Sequence, residues 1–169
     1  MTKKLIIPAL LGASALFAAT HKPFYAIGSD GSFVVMAAQA DMMIAHIGKD
    51  AQGRGANDRV KDFGKSLVQD HTTEYQELTI AAEKAKDVIP KGLDRQDIRT
   101  INALNRYSGK AFDHAFLAGQ AAEHERLVRA FKQEAEHGSN PDLKAYASKA
   151  LPVIEKHLHD AEDLLKQKM

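Results

Sequence analysis

Four stretches of this chain place apolar side chains three and four residues apart, and each is bounded by residues that start or stop helices. The second is the clearest. Val60, Phe63, Leu67, His71, Tyr75, Leu78 and Ala82 form one stripe, capped at its start by Asn57-Asp58 and closed by Asp87 to Leu93 with Pro90 and Gly92. A chain built of such stripes buries them only by packing helix on helix. The expectation is therefore an all-α domain.

The first helix is expected from about Phe33 to Gln52, after the caps Ser29-Asp30-Gly31-Ser32, with Val34, Ala37, Met43, Ile44 and Ile47 inward. Gly53-Arg54-Gly55 loosens its end. Asp94 caps a shorter helix carrying Ile98, Ile101 and Leu104, which Ser108-Gly109 interrupts. A third long helix is expected from Lys110 to His137, with Asp113, Phe116, Leu117, Gln120, His124, Leu127, Val128 and Phe131 on its stripe. Gly138 is read as its left-handed ending. Asn140-Pro141-Asp142 then starts the fourth, which carries Leu143, Tyr146, Ile154, His157 and Leu164, with Pro152 as a candidate kink. Short links within the first and last pairs give antiparallel hairpins, and the longer middle connection is free to cross an end or side of the bundle.

The abundance of alanine, the absence of tryptophan and only 7% aromatic residues suit closely packed helices. Lys+Arg (23) and Asp+Glu (22) are interspersed, so nothing favours a nucleic-acid partner. The chain has no cysteine, which removes disulfides, thiolate metal sites and cysteine nucleophiles. Residues 1–19 read as a secretory signal peptide: Lys3 and Lys4, an apolar run from Leu5 to Ala18, and small residues at its end. The run is shorter than the ~20 residues a spanning helix needs, so the expectation is cleavage, an exported and periplasmic protein, and no transmembrane anchor thereafter. Residues 20–28 read as a leader and 29–167 as one helical domain.

Histidines fall on the inner stripes. His71, His124 and His157 lie within the apolar faces of three helices, and His46 lies one position before Ile47 on the first. His46 and His71 are 11 and 14 residues from Asn57, and His124 and His157 are 16 and 17 from Asn140. At about 1.5 Å rise per residue, each pair lies within ~5 Å of a common height. One imidazole per helix facing one layer is a donor set for Zn, Cu or Fe. The same side chains also suit a hydrogen-bonded network with Asp70, Glu74, Asp113, Glu123 or Glu155, as structural or supporting groups, and no metal at all. The di-iron pattern is incomplete: the one Glu-x-x-His is Glu134-x-x-His137, at a helix end and read as a surface feature, while His71-x-x-Glu74 runs in reverse order. Met36, Met42 and Met43 read as packing.

Several blocks resemble the ferritin-like domain-of-unknown-function family 4142 of exported bacterial proteins. They are Phe33 to Gln39 (FVVMAAQ), Val60 to His71 (VKDFGKSLVQDH) with Glu77-Leu78, Ser108 to Asp113 (SGKAFD) with His124, and Leu151-Pro152 with His157-Leu158. The resemblance implies a ferritin-like antiparallel four-helix bundle, with a short extra helix in its middle connection, and no established activity. It singles out Asp70, His71, Phe112, Asp113, His124 and His157. Two positions depart from the pattern: Ile44 where an acid is expected on the first helix, and Phe116 where a Tyr is expected. The functional expectation is an accessory protein of envelope homeostasis or stress that binds a transition metal through His46, His71, His124 and His157. The alternatives are a structural or protein-interaction module, as a homo-oligomer or with an envelope partner, and a di-metal oxidase or peroxidase.

Overall fold

The computed structural model describes residues 29–167. The expected signal peptide and leader lie outside the described residues. Five helices follow in order: α1 (Asp30–Arg54), α2 (Asp58–Ala85), α3 (Arg95–Leu104), α4 (Gly109–His137) and α5 (Pro141–Lys166). Among the described residues every regular element is a helix, and the long helices form a bundle.

The caps act where the sequence puts them. Ser29 and Ser32 close a reciprocal capping box, which lets α1 begin at Asp30 rather than at Phe33. Asn57, Asp94 and Asn140 accept bonds from the first backbone N–H groups of α2, α3 and α5. Pro152 sits inside α5, which runs through it to Lys166.

Gly138 differs from expectation. Its φ is −55°, outside the left-handed region. Glycine is required there by crowding: a Cβ would stand 2.6 Å from the Glu134 carbonyl oxygen. The Glu134-x-x-His137 pair also differs, because Glu134 is buried while His137 is exposed. Burial raises the Glu134 carboxyl to about 7, with Asp30 and Asp87 adding to the rise and Lys144 opposing it.

α1 packs along α2, and α4 along α5; α2 against α5 and α1 against α4 join the two hairpins. Two glycines bring α1 and α2 together. A Cβ on Gly64 would lie 2.6 Å from the Gly48 carbonyl oxygen and 2.9 Å from Ala51 Cβ, and one on Gly48 would lie 2.8 Å from the Gly64 carbonyl oxygen. The helices therefore touch backbone to backbone, a distance no larger residue permits.

Each short link is held by a carboxylate from the opposite hairpin. Asp113 of α4 accepts from the backbone N–H groups of Ala56 and Asn57, both at 2.9 Å. Asp30 of α1 accepts from Ser139 N at 2.9 Å and Asn140 N at 2.7 Å. The start of α4 thus lies beside the α1–α2 link, and the start of α1 beside the α4–α5 link, so the links are at opposite ends. The middle connection must then travel the length of the bundle. Its beginning lies near Gly31, where Asp87 approaches, and its end is tied by Arg54 donating to the Tyr107 carbonyl at 2.8 Å. Between them, Gln39 donates to the Gly92 carbonyl and accepts from Asp94 N, both at 2.9 Å, and Tyr75 donates to the Pro90 carbonyl at 2.7 Å.

Aromatic clusters fill both ends of the core. Phe33, Phe131 and Tyr146 pack at one end, and Phe63, Phe112 and Phe116 at the other. Along α4 the order Phe116, His124, Phe131 places the histidine layer between them. Among the described residues, no helix is long and apolar enough to cross a membrane.

Gly64→Ala should lower unfolding free energy in urea by about 1–3 kcal/mol, the usual cost of an extra methyl in a closed contact; an unchanged midpoint would refute the backbone contact. Asp113→Ala should cost about 2–4 kcal/mol, since a buried carboxylate with two backbone donors is lost and both donors are stranded. Asp30→Ala, at a half-buried site, should cost less in the same titration.

Candidate metal centre

Four helices meet in one polar layer. α1 contributes Asp41; α2 contributes His71 and, one turn on, Glu74; α4 contributes His124; α5 contributes His157. All three imidazoles are fully buried, and Asp41 and Glu74 are only 2% and 5% exposed. The three rings form a near-equilateral triangle, with centroids 5.3, 5.6 and 5.5 Å apart.

His71 is the hub. Its Nδ1 lies 2.9 Å from Asp41 Oδ1 and 3.2 Å from Glu74 Oε2, while its Nε2 faces His124 Nε2 at 3.2 Å. His124 Nδ1 is 2.9 Å from the Gln120 carbonyl oxygen. A carbonyl only accepts, so that nitrogen carries the proton and donates it, which leaves His124 Nε2 with a lone pair directed at His71. His157 Nε2 lies 3.0 Å from Asp70 Oδ2, off the line of a hydrogen bond, and Asp70 is 36% exposed. Asp70 is thus the group of the cluster that reaches toward water.

The charges follow from these contacts. Burial alone lowers the His71 pKa, but hydrogen bonds and charge from Asp41 and Glu74 overcome it and raise the ring to about 9. Burial raises Asp41 to about 7, against the lowering pull of His71. Burial and the neighbouring imidazoles push His124 well below its ordinary range, and burial with His71 brings His157 down to about 4. At neutral pH, then, His71 is the cation and the other two rings are neutral. His71 Nε2–H then donates to His124 Nε2.

In this layer Asp41 Oδ2 and Glu74 Oε1 accept no hydrogen bond from the described residues, Glu74 Oε2 has only the His71 Nδ1 ion pair at 3.2 Å, and the ring nitrogens of His157 make no hydrogen bond. Asp41, His71 and Glu74 present ligand atoms all within 4.8 Å of one another. Two ligands bound to one tetrahedral ion at about 2.0–2.2 Å lie roughly 3.3 Å apart. The separations of 2.9 and 3.2 Å at His71 Nδ1 are those of hydrogen-bonded partners and lie a little inside that spacing, so a small outward shift would admit an ion.

Of the four histidines singled out in the sequence, the structure brings His71, His124 and His157 into one layer and leaves His46 outside it. His46 is exposed on α1 and does not reach the layer; one position off the stripe turns a side chain about 100° around a helix. Ile44 stands where the resemblance expected an acid, and the acid that α1 does bring to the layer is Asp41, one turn earlier. The stripe Val34, Ala37, Ile44 leaves a gap that position 41 fills, so the signal was present in the spacing. Glu74 lies in the layer. Asp113 holds the α1–α2 link instead, and Glu123 pairs with Arg126, whose Nε donates to it at 3.1 Å. The carboxylates beside the histidines are therefore Asp41, Glu74 and Asp70, which is not the Glu-rich set that bridges two irons.

The chain matches the family model described as Domain of unknown function (DUF4142) across residues 17–164. It belongs to that family. No curated protein and no solved structure matches it.

His71 has a folded pKa above its unfolded value, so the stability it contributes is complete below about pH 6.5 and is lost as pH rises through about 9. Urea unfolding of metal-free protein should show that decline in wild type and a flatter profile in His71→Gln. Equal slopes would mean that His71 is not held protonated by its carboxylates.

Proposed function

We propose that this DUF4142 protein is an exported, periplasmic accessory protein. It is a ferritin-like four-helix bundle that holds a divalent transition metal at its buried histidine–carboxylate centre. It serves envelope homeostasis or stress tolerance rather than turnover. The observation that carries the metal reading is that Asp41, His71 and Glu74 bring buried ligand atoms within 4.8 Å of one another while Asp41 Oδ2 and Glu74 Oε1 accept no hydrogen bond. Above the Asp41 pKa of about 7, two buried carboxylates beside one imidazolium leave excess negative charge in a buried layer, which a divalent cation would neutralise. The donors are imidazole and carboxylate, with no thiolate available in the chain, which suits Zn(II), Cu(II) or Fe(II). The middle connection that travels the bundle's length supports the ferritin-like assignment. The Met1 to Ala19 pattern supports export.

A second reading rests on the run of contacts Asp41, His71, His124, Gln120 carbonyl. As a hydrogen-bonded relay it would lock four helices in register without any ion, and the protein's function would lie on its surface.

Titration of metal-free mature protein with Zn(II) and Cu(II) separates the two. Stoichiometric binding that falls at least tenfold in both His71→Gln and His124→Gln, with helical content unchanged by circular dichroism, is the expected result. No binding in wild type, with variants that only melt earlier, would favour the relay and remove the metal.

A further inference from the structure

Two partly exposed acids flank the buried Glu74 on α2. Asp70 lies four residues before it and Glu77 three after, with side chains 36% and 33% exposed. Side chains at these spacings share a helix face, with Cβ atoms about 5–6 Å apart. Each acid is therefore within a turn of a carboxylate of the metal centre. They differ in what holds them. Glu77 is tied to Lys149 at 2.7 Å. Among the described residues, no lysine or arginine pairs with Asp70; it accepts from Ser66 Oγ at 3.4 Å and lies 3.0 Å from His157 Nε2.

We propose that Asp70 is where a divalent cation enters the centre, captured there from water and passed to Glu74. This rests on the metal reading above and adds a route to it, with Asp70 acting on the way in and not as a ligand of the seated ion. The Glu74 carboxylate folds back to His71 Nδ1 at 3.2 Å, toward the turn that carries Asp70, and its Oε1 accepts no hydrogen bond. His157 flanks the same path. It is fully buried, and its ring stacks on that of His71 at 5.6 Å. Its ring nitrogens make no hydrogen bond, so Asp70 Oδ2 and His157 Nε2 offer an arriving ion an oxygen and a nitrogen together.

The other approach to Glu74 is less suited to a cation. A groove of about 390 Å³ between α2 and α5 begins one turn beyond Glu74, at Glu77. Its walls include Ile80, Ala81 and Ala145, and its acids Glu77 and Asp142 face Lys149 at 2.7 Å and Lys84 at 3.6 Å. An apolar wall does not replace the water a cation sheds, and acids already paired with lysines attract it little. An unpaired acid at the surface raises the local concentration of cations and the rate at which they arrive.

The test mixes metal-free mature protein rapidly with Co(II), which takes the same nitrogen and oxygen donors and absorbs visible light. Only the absorption that is lost in His71→Gln is counted, and release is followed by chasing with excess chelator. In Asp70→Asn the loading rate constant should fall about tenfold, a size that electrostatic capture supplies, while the release rate constant does not rise. Asp70→Glu should restore loading. Glu77→Gln removes the same charge on the other side of Glu74 and should change loading by less than about twofold, because that acid is already paired. Loading unchanged in Asp70→Asn, or slowed as much in Glu77→Gln, would overturn the route and leave the metal reading standing. Faster release in Asp70→Asn would also overturn it, since Asp70 would then hold the seated ion. No absorption dependent on His71 would remove the metal reading and the route together.

Discussion

Everything in the middle of this bundle turns on how a buried charge is kept company. Asp41 and His71 come from different helices and meet at 2.9 Å in a layer without solvent. Removing such groups from water costs several kcal/mol per ion, and the cost is offset only when their partners are close and well placed. Asp41 on α1, Glu74 on α2, His124 on α4 and His157 on α5 must all arrive at His71 together. A slide of any helix by one residue would carry its side chain about 1.5 Å along the axis and break these contacts. The polar centre therefore acts as a register lock for the four long helices.

That lock needs rigid ends, and the links provide them. Asp113 and Asp30 each reach from one hairpin to the backbone of the other hairpin's link. Gln39 and Tyr75 hold the middle connection against the bundle. The two carboxylates satisfy backbone N–H groups at and just before the N-caps Asn57 and Asn140, which have no partner within the helices they precede. With both ends fixed by carboxylates and the helices α1 and α2 in contact through Gly48 and Gly64, little freedom is left for the histidine layer between two aromatic clusters. A preset geometry of this kind is what a metal site needs, because ligands that must be gathered at the moment of binding lose affinity to their own ordering.

Most of the helical plan was legible in the chain. The stripe through Val60, Phe63, Leu67 and His71 and the caps at Asn57, Asp94 and Asn140 depend on local spacing and on backbone groups within a few residues, so sequence carries them directly. The inward histidines were legible for the same reason. The misplacements share a cause as well. His46 was assigned by height alone, and height says nothing about rotation around the helix. Asp41 was passed over because an acid inside an apolar run reads as an exception until a partner 30 residues away explains it. Gly138 carries the usual residue of a left-handed ending, yet the Glu134 side chain folded over it sets its conformation.

By itself the sequence determined the number and approximate limits of the helices, the faces they bury and the presence of imidazoles on those faces, because each depends on a period or a cap within a turn or two. It also determined that no thiolate takes part. Only the tertiary structure decided that Asp41 and Glu74 share one nitrogen of His71 while His124 faces the other, and that Asp113 serves a loop rather than the centre. Those assignments depend on distances between helices far apart in the chain. Such distances are set by packing at Gly48, Gly64 and the linked ends, and no local pattern encodes them.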